Sequence, residues 1–257
     1  MSPSTVAAET YLRSVEAILA RIRETQTPAI ARAGEMMATA IARGRGVFVF
    51  GSGHSVIPVL DVFPRYGSFV GFYPLTDPRL MWFSPIGPGG ARELLWLERK
   101  EGYVAQFLKS HPLGTGDVTL VFSHGGLNAA PVEVALGARE RGSAVVAVTS
   151  LSNARAHRPA HSSGKHLADV ADVAIDNCTA PEDAQVVVEG WQHPVAAAST
   201  VAFVAIAQAL VASTAQQLAA RGVRKDVFVS PNVQGVEPGH NERIFEQYEA
   251  WVRTLAR

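Results

Sequence analysis

Apolar residues recur at helical spacing over the first forty-odd positions and then gather into short unbroken runs. Leu12, Val15, Leu19 and Ile22 fall on one stripe with charges opposite, which predicts an amphipathic helix over 6–25. A second helix is predicted from about Thr27, with Pro28 at its first position, to Gly44 as C-cap. Beyond it, Val47-Phe48-Val49-Phe50 reads as a buried parallel strand closed by the loop Gly51-Ser52-Gly53-His54-Ser55.

The same unit recurs. Strands are predicted over 69–75, 118–122, 144–148 and 173–176, with helices over 91–109, 129–141 and 166–171 between them. A long uncharged helix lies within Trp191–Ala220, followed by a possible strand at 227–229 and a last helix from about Asn241. Strands alternating with helices imply right-handed βαβ units and a sheet covered on both faces. The expected fold is therefore α/β: a three-layer, doubly wound parallel sheet over 46–257, with an N-terminal helical extension over 1–45.

Charge narrows the partners. Lys plus Arg and Asp plus Glu each total 23 in 257 residues, so there is no basic excess of the kind nucleic acid or an anionic membrane attracts. The four arginines Arg13, Arg21, Arg23 and Arg32 are offset by acids, and 1–45 is too short and too neutral for a DNA reader. Cys178 is the single cysteine, which excludes an internal disulfide or a cysteine-rich zinc site. Glu9, Arg13 and Glu16 interrupt any apolar leader, and the uncharged segment is too alanine-rich, with Pro194 near its start, to read as a membrane span. A cytoplasmic protein is expected, without membrane or nucleic-acid partners. The uncharged helix and the N-terminal pair offer more apolar surface than one small sheet needs, which predicts a homo-oligomer, dimer or tetramer.

The chemistry should lie at the carboxyl ends of the strands. Three of these ends carry small polar side chains: Ser52 and Ser55, then Ser123 and Asn128, then Thr149 and Ser150. Glycines let backbone N–H groups close on an anion, a helix N-terminus adds partial positive charge, and hydroxyls donate hydrogen bonds. That combination suits a phosphate without Lys or Arg. The first loop lacks the third glycine of the dinucleotide fingerprint, and there is no Walker sequence or G-x-S-x-G elbow, so no nucleotide cofactor is expected. No H-x-x-E-H or similar spacing indicates a metal.

Gly51-Ser52-Gly53-His54-Ser55, Ser123-His124-Gly125-Gly126-Leu127-Asn128 with Glu133, and Thr149-Ser150 resemble the phosphosugar-binding signature of the SIS (sugar isomerase) domain family. His161–Leu167, Ala171–Asn177 and Ser230–Gly235 extend the likeness over about 45–248, toward a bacterial branch related to N-acetylmuramic acid 6-phosphate etherase. The resemblance implies a flavodoxin-like fold, a homo-oligomer, and a sugar phosphate held by Gly51, Ser52, Gly53, Ser55, Ser123, His124, Gly125, Gly126, Asn128, Thr149 and Ser150. Gly125 departs from it, since Ser-x-Ser-Gly is the usual form of the second loop.

Isomerisation and ether elimination both need a proton carrier near the sugar. Glu98-Arg99-Lys100-Glu101 resembles the position of a glutamate pair in the etherase, and Glu101 is the leading base. Asp61 is the acid after the first loop, His54 and His124 lie inside the anion loops, and Lys165 is the basic residue of a conspicuous loop. His240 resembles the distal histidine that some SIS enzymes bring to a neighbouring site. The expected activity is aldose–ketose isomerisation of a phosphorylated sugar or amino sugar through an enediol(ate). The alternatives are an etherase or other lyase on the same ligand class, and a non-enzymatic sugar-phosphate sensor.

Overall fold

The computed structural model describes residues 3–255. In chain order the helices are α1 (Pro3–Ala42), α2 (Val56–Val62), α3 (Ala91–Leu97), α4 (Tyr103–Phe107), α5 (Ala129–Glu140), α6 (Leu151–Ala156), α7 (Leu167–Val170), α8 (Ser199–Ala220) and α9 (His240–Leu255). The strands are β1 (Val47–Gly51), β2 (Phe72–Leu75), β3 (Val118–Phe122), β4 (Ala144–Thr149), β5 (Val173–Asp176), β6 (Ala184–Val186) and β7 (Val195–Ala197).

The first five strands form one sheet in the order β2-β1-β3-β4-β5, every neighbouring pair parallel. This is the flavodoxin-like order, whose topological switch falls between β1 and β3. Both faces are covered, which is why the strands read as continuous apolar runs. Val47 and Val49 point into a core shared with α1, α2 and α8. Phe48 and Phe50, one residue out of phase, point into the second core with α4 and α5. The expected three layers are present.

Four local expectations change. The two N-terminal helices are one, running through Pro28. Pro28 is exposed, so the carbonyl that loses its N–H partner there is open to water. The predicted helix over 91–109 is split into α3 and α4, with Gly102 at φ 87° between them. The strand predicted from Phe69 begins at Phe72, and Phe69 forms a lone antiparallel bridge with Val227. That bridge is all that remains of the possible strand at 227–229.

The sequence reading also passed over the β6–β7 hairpin. It is pinned to the first third of α1, where the Tyr11 hydroxyl donates to the Ala197 carbonyl (3.0 Å) and Ser14 donates to Gln185 Oε1 (2.6 Å). Among the described residues α8 is the one helix long and apolar enough to cross a membrane. Its Phe203, Ile206, Ala207 and Leu210 are buried against α1 and the sheet.

Candidate functional site at the β1–β3 junction

The first loop leaves β1 at Gly51 and turns at once into a 3-10 turn, Gly53–Ser55, that leads into α2. The turn is so tight that a Cβ on Gly51 would lie 2.0 Å from the Ser55 carbonyl oxygen, so no other residue fits there. Ser55 stands at the N-cap of α2 without its hydroxyl capping the helix. The second loop leaves β3 at Ser123, whose Oγ accepts from the Gly126 N–H (3.1 Å) and keeps its own proton for an outside acceptor. Gly126 has φ 63°, and an added Cβ would meet Thr149 Oγ1 at 2.7 Å.

Asn128 is the N-cap of α5 but does not cap it with its side chain. Its amide Nδ2 instead donates to Glu98 Oε1 (2.9 Å), while Ser52 Oγ donates to Glu98 Oε2 (3.0 Å). Glu98 follows the last residue of α3, and its backbone carbonyl accepts from the Ala130 N–H (2.9 Å). One carboxylate thus joins the ends of β1 and β3 across the switch point. The residue is only 8% exposed, and this burial pushes its carboxyl above the usual value, partly offset by the Ser52 hydrogen bond and by Arg99 3.3 Å away. Such a carboxylate takes a proton more readily than an exposed one and can return it to the same substrate.

A match to the SIS domain spans residues 10–150. Over 245 residues the chain is 36% identical to a UPF0309 protein of Streptomyces avermitilis, covering 94% of each. The chain belongs to the SIS-domain family. Among solved structures, a phosphoheptose isomerase from Francisella tularensis superposes with a TM-score of 0.54 at 16% identity, over 84% of this chain and 100% of that one. The corresponding isomerase from Neisseria gonorrhoeae gives 0.54 at 16% identity, over 82% and 97%. At such identities the likeness establishes the fold.

Within this SIS domain the residues singled out from sequence fall into groups. Ser52, Ser55, Ser123 and Asn128 gather at the β1 and β3 ends. His54 is exposed there, its ring 4.4 Å from that of Trp82. Lys165 is exposed two residues before Leu167, whose N–H donates to the Gly126 carbonyl (2.9 Å), so it flanks the second loop.

Three others turn inward. Thr149 Oγ1 donates to the His124 carbonyl (3.2 Å), and Ser150 Oγ donates to the Thr179 carbonyl (2.8 Å). His124 Nε2 faces the Pro181 carbonyl (3.2 Å), which can only accept, so Nε2 carries the proton. Its Nδ1 then accepts from Asn177 Nδ2 (3.3 Å), and the ring braces the segment after β5.

The remaining acids and His240 lie elsewhere. Asp61 pairs with Arg65 (2.7 Å) and accepts from Gln208 Nε2 (2.8 Å), on the α2–α8 flank. His240 Nε2 donates to the Val227 carbonyl (2.8 Å), beside the segment that leads into β2 from its amino-terminal end. Glu101 is exposed, its carboxylate accepting from the Ser162 N–H (2.7 Å) and hydroxyl, which hold its pKa below the usual value.

Glu98 is the residue that selection by sequence passed over. A signal existed: Leu94 and Glu98 are one helical turn apart, so an inward-facing Leu94 carries Glu98 inward too. A cleft of about 490 Å³ opens at the opposite end of the sheet between α1 and the starts of β3 and β4. It holds none of the loop hydroxyls, and chemistry rather than size locates the site.

Proposed function

We propose that this chain binds a phosphorylated sugar or amino sugar at the β1–β3 junction and isomerises it between aldose and ketose forms. The observation that carries the reading is the buried Glu98 carboxylate held between Ser52 and Asn128 at the switch point. At the start of α5 the Ala130 N–H is taken by the Glu98 carbonyl and Pro131 has none, which leaves the Ala129 N–H; with the hydroxyls of Ser123 and Ser55 it supplies a seat for a phosphate without a fixed cation. Family membership and the phosphoheptose isomerases of like fold support the ligand class. In this reading Glu98 rather than Glu101 is the base. It takes the proton from C2 of the aldose while the C1 carbonyl oxygen gains one from solvent to give the enediol. Glu98 then returns its proton to C1 as the C2 hydroxyl gives its proton to solvent and becomes the ketone carbonyl. Ser52 and Asn128 orient the carboxylate; Oε1 accepts from Asn128 and Arg99, and Oε2, which accepts from Ser52 alone, keeps a lone pair for the substrate.

The test uses thermal-shift screening of a panel of sugar phosphates, followed by NMR of the hits in D2O. An isomerase washes deuterium into C1 or C2. Release of a fragment instead would move the reaction to the lyase class, including the etherase kinship that the motifs suggest. A stabilising ligand that shows neither exchange nor breakdown over hours would leave a binding module and remove the isomerase reading.

A further inference from the structure

Away from the β1–β3 junction, three potential metal donors converge from segments far apart in sequence. Glu101 lies in the turn between α3 and α4, Glu133 on the second turn of α5, and His161 in the loop between α6 and α7. His161 Nε2 is 3.6 Å from Glu133 Oε1 and 3.8 Å from Glu101 Oε2, and one donor atom from each residue lies within 4.8 Å of the others. The His161 side chain is only 8% exposed, and its hydrogen bonds among the described residues use Nδ1 alone, leaving Nε2 aimed at the carboxylates. Glu133 Oε2 is buried with no hydrogen-bond partner among the described residues. A buried carboxylate oxygen without a partner is costly, and beside an imidazole nitrogen that faces two carboxylates it points to something that belongs between them.

We propose that Glu101, Glu133 and His161 bind a divalent transition-metal ion of the zinc class, as a site separate from Glu98. Ligands about 2.1 Å from a tetrahedral zinc ion stand about 3.4 Å apart, so the observed 3.6 and 3.8 Å need close by only a few tenths of an ångström. One imidazole and two carboxylates, with solvent in the fourth position, match zinc better than calcium or magnesium, which take six or more oxygens.

A supporting shell is in place. The Ser162 N–H (2.7 Å) and hydroxyl hold Glu101, and the Gly102 N–H (2.6 Å) holds Glu133 Oε1. His161 Nδ1 accepts from the Ser163 N–H (3.1 Å) and lies 2.8 Å from Ser163 Oγ. With the ion on Nε2 the ring proton would move to Nδ1, the Ser163 N–H would turn away, and Ser163 Oγ would accept the proton. No local motif announces the site because the fold assembles it from two connections and a helix. The ion would clasp the α3–α4 turn to the loop that carries Lys165. Glu101 is three residues beyond Glu98, so the clasp would also stiffen the segment that presents the buried carboxyl.

The experiment is a zinc titration of the full chain, stripped with a chelator, against a chromophoric competitor, with bound metal measured by elemental analysis. One equivalent per chain is expected. Glu101→Gln and His161→Asn should each weaken zinc binding by at least roughly 100-fold. Ser163→Ala, which removes only the proton acceptor behind the ring, should weaken it by about 10–100-fold. His193→Asn, at an exposed histidine remote in sequence from the cluster, serves as the control and should bind like the parent. Should His161→Asn fail to fold by circular dichroism, the variants at the exposed Glu101 and Ser163 carry the same test. Less than one equivalent in the parent at micromolar zinc, or equal affinity in the parent, Glu101→Gln and Ser163→Ala, would overturn the assignment. The gap would then belong to an imidazolium paired with two carboxylates.

Discussion

Replacing Glu98 by glutamine separates what this residue does for the fold from what it does for chemistry. The side chain keeps its shape and one oxygen, and both partners can adapt: the Ser52 hydroxyl rotates from donor to acceptor, and the Asn128 amide flips to offer its oxygen. The Ser52 and Asn128 hydrogen bonds, each contributing about 1.5–3 kcal/mol to a charged group, become neutral ones of about 0.5–1.5 kcal/mol, and the 3.3 Å contact of exposed Arg99 loses its ionic character, which costs under about 1 kcal/mol. The desolvation cost of a buried carboxylate disappears at the same time, so the net change in stability should stay within about 1 kcal/mol. Turnover behaves differently. A positioned general base contributes about 10²–10⁴-fold, or about 2.7–5.4 kcal/mol of barrier at 1.36 kcal/mol per decade. Deuterium wash-in on the ligand found by thermal shift should therefore fall by 100-fold or more, with affinity nearly unchanged.

A pH series gives an independent readout of the same residue. Burial raises the Glu98 carboxyl above the ordinary glutamate value of 4.5. The folded state therefore holds this proton more tightly than the unfolded state. The stabilisation is fully present below 4.5 and is lost as pH rises through the higher folded value. Glutamine does not titrate, so Glu98→Gln should gain stability relative to the parent as pH rises, in urea melts from pH 4 to 8. Exchange within threefold of the parent, or a stability difference flat with pH, would refute the placement of the base at Glu98.

Two further outcomes follow from the loops and from α1. A serine at position 125 meets only Leu127 and Asn153 side-chain atoms at 3.8–3.9 Å, so Gly125→Ser should fold like the parent and add a hydroxyl beside the second loop. Tighter binding of the phosphorylated ligand, by up to about tenfold, is the expected thermal-shift result, and no change would place the phosphate away from this loop. The first half of α1 exposes Val6 (48%), Leu12 (60%) and Leu19 (36%), of which Leu12 and Leu19 share one face, an apolar surface that we take to be covered by a second copy. Light scattering at micromolar concentration should read at least twice the 27.4 kDa chain mass, and a monomer would remove the idea.

Much of the sheet was legible because its strands are buried on both faces. Val118–Phe122 and Val173–Asp176 were read with the bounds they have, as short apolar runs between turns. Pro28 misled the reading of α1 because proline at a helix start and exposed proline within a helix leave the same trace. The threonines beside it deepen the ambiguity, since Thr25 and Thr27 bond back to the Arg21 and Arg23 carbonyls at 2.7 and 2.6 Å inside a continuous helix. The loop hydroxyls were visible as small polar residues at strand ends, but not the inward turn of Thr149 and Ser150. That turn depends on the Thr179 and His124 carbonyls, which come from other connections. The choice between Glu98 and Glu101 was closed to inspection of a charged cluster. It is decided by which residue shares the buried face with Leu94.

The origin of the catalytic candidate explains why ligand class is easier to infer here than reaction. Ser52, Ser123 and Asn128 sit at the ends of β1 and β3, so the order of the sheet itself brings them together. Any chain with this strand order and these loops presents the same hydroxyls and the same helix N-terminus to an anion. Glu98 has a different origin. It comes from the connection over 76–117, between edge strand β2 and central strand β3, and reaches the junction only because α3 packs there with Leu94 buried. That connection can change its acid, its reach or its clasp at Glu101 without disturbing the sheet. The proposed phosphate seat thus rests on the fold, whereas the proposed proton carrier rests on one insertion, and it is Glu98 and its neighbours that must be tested to fix the chemistry.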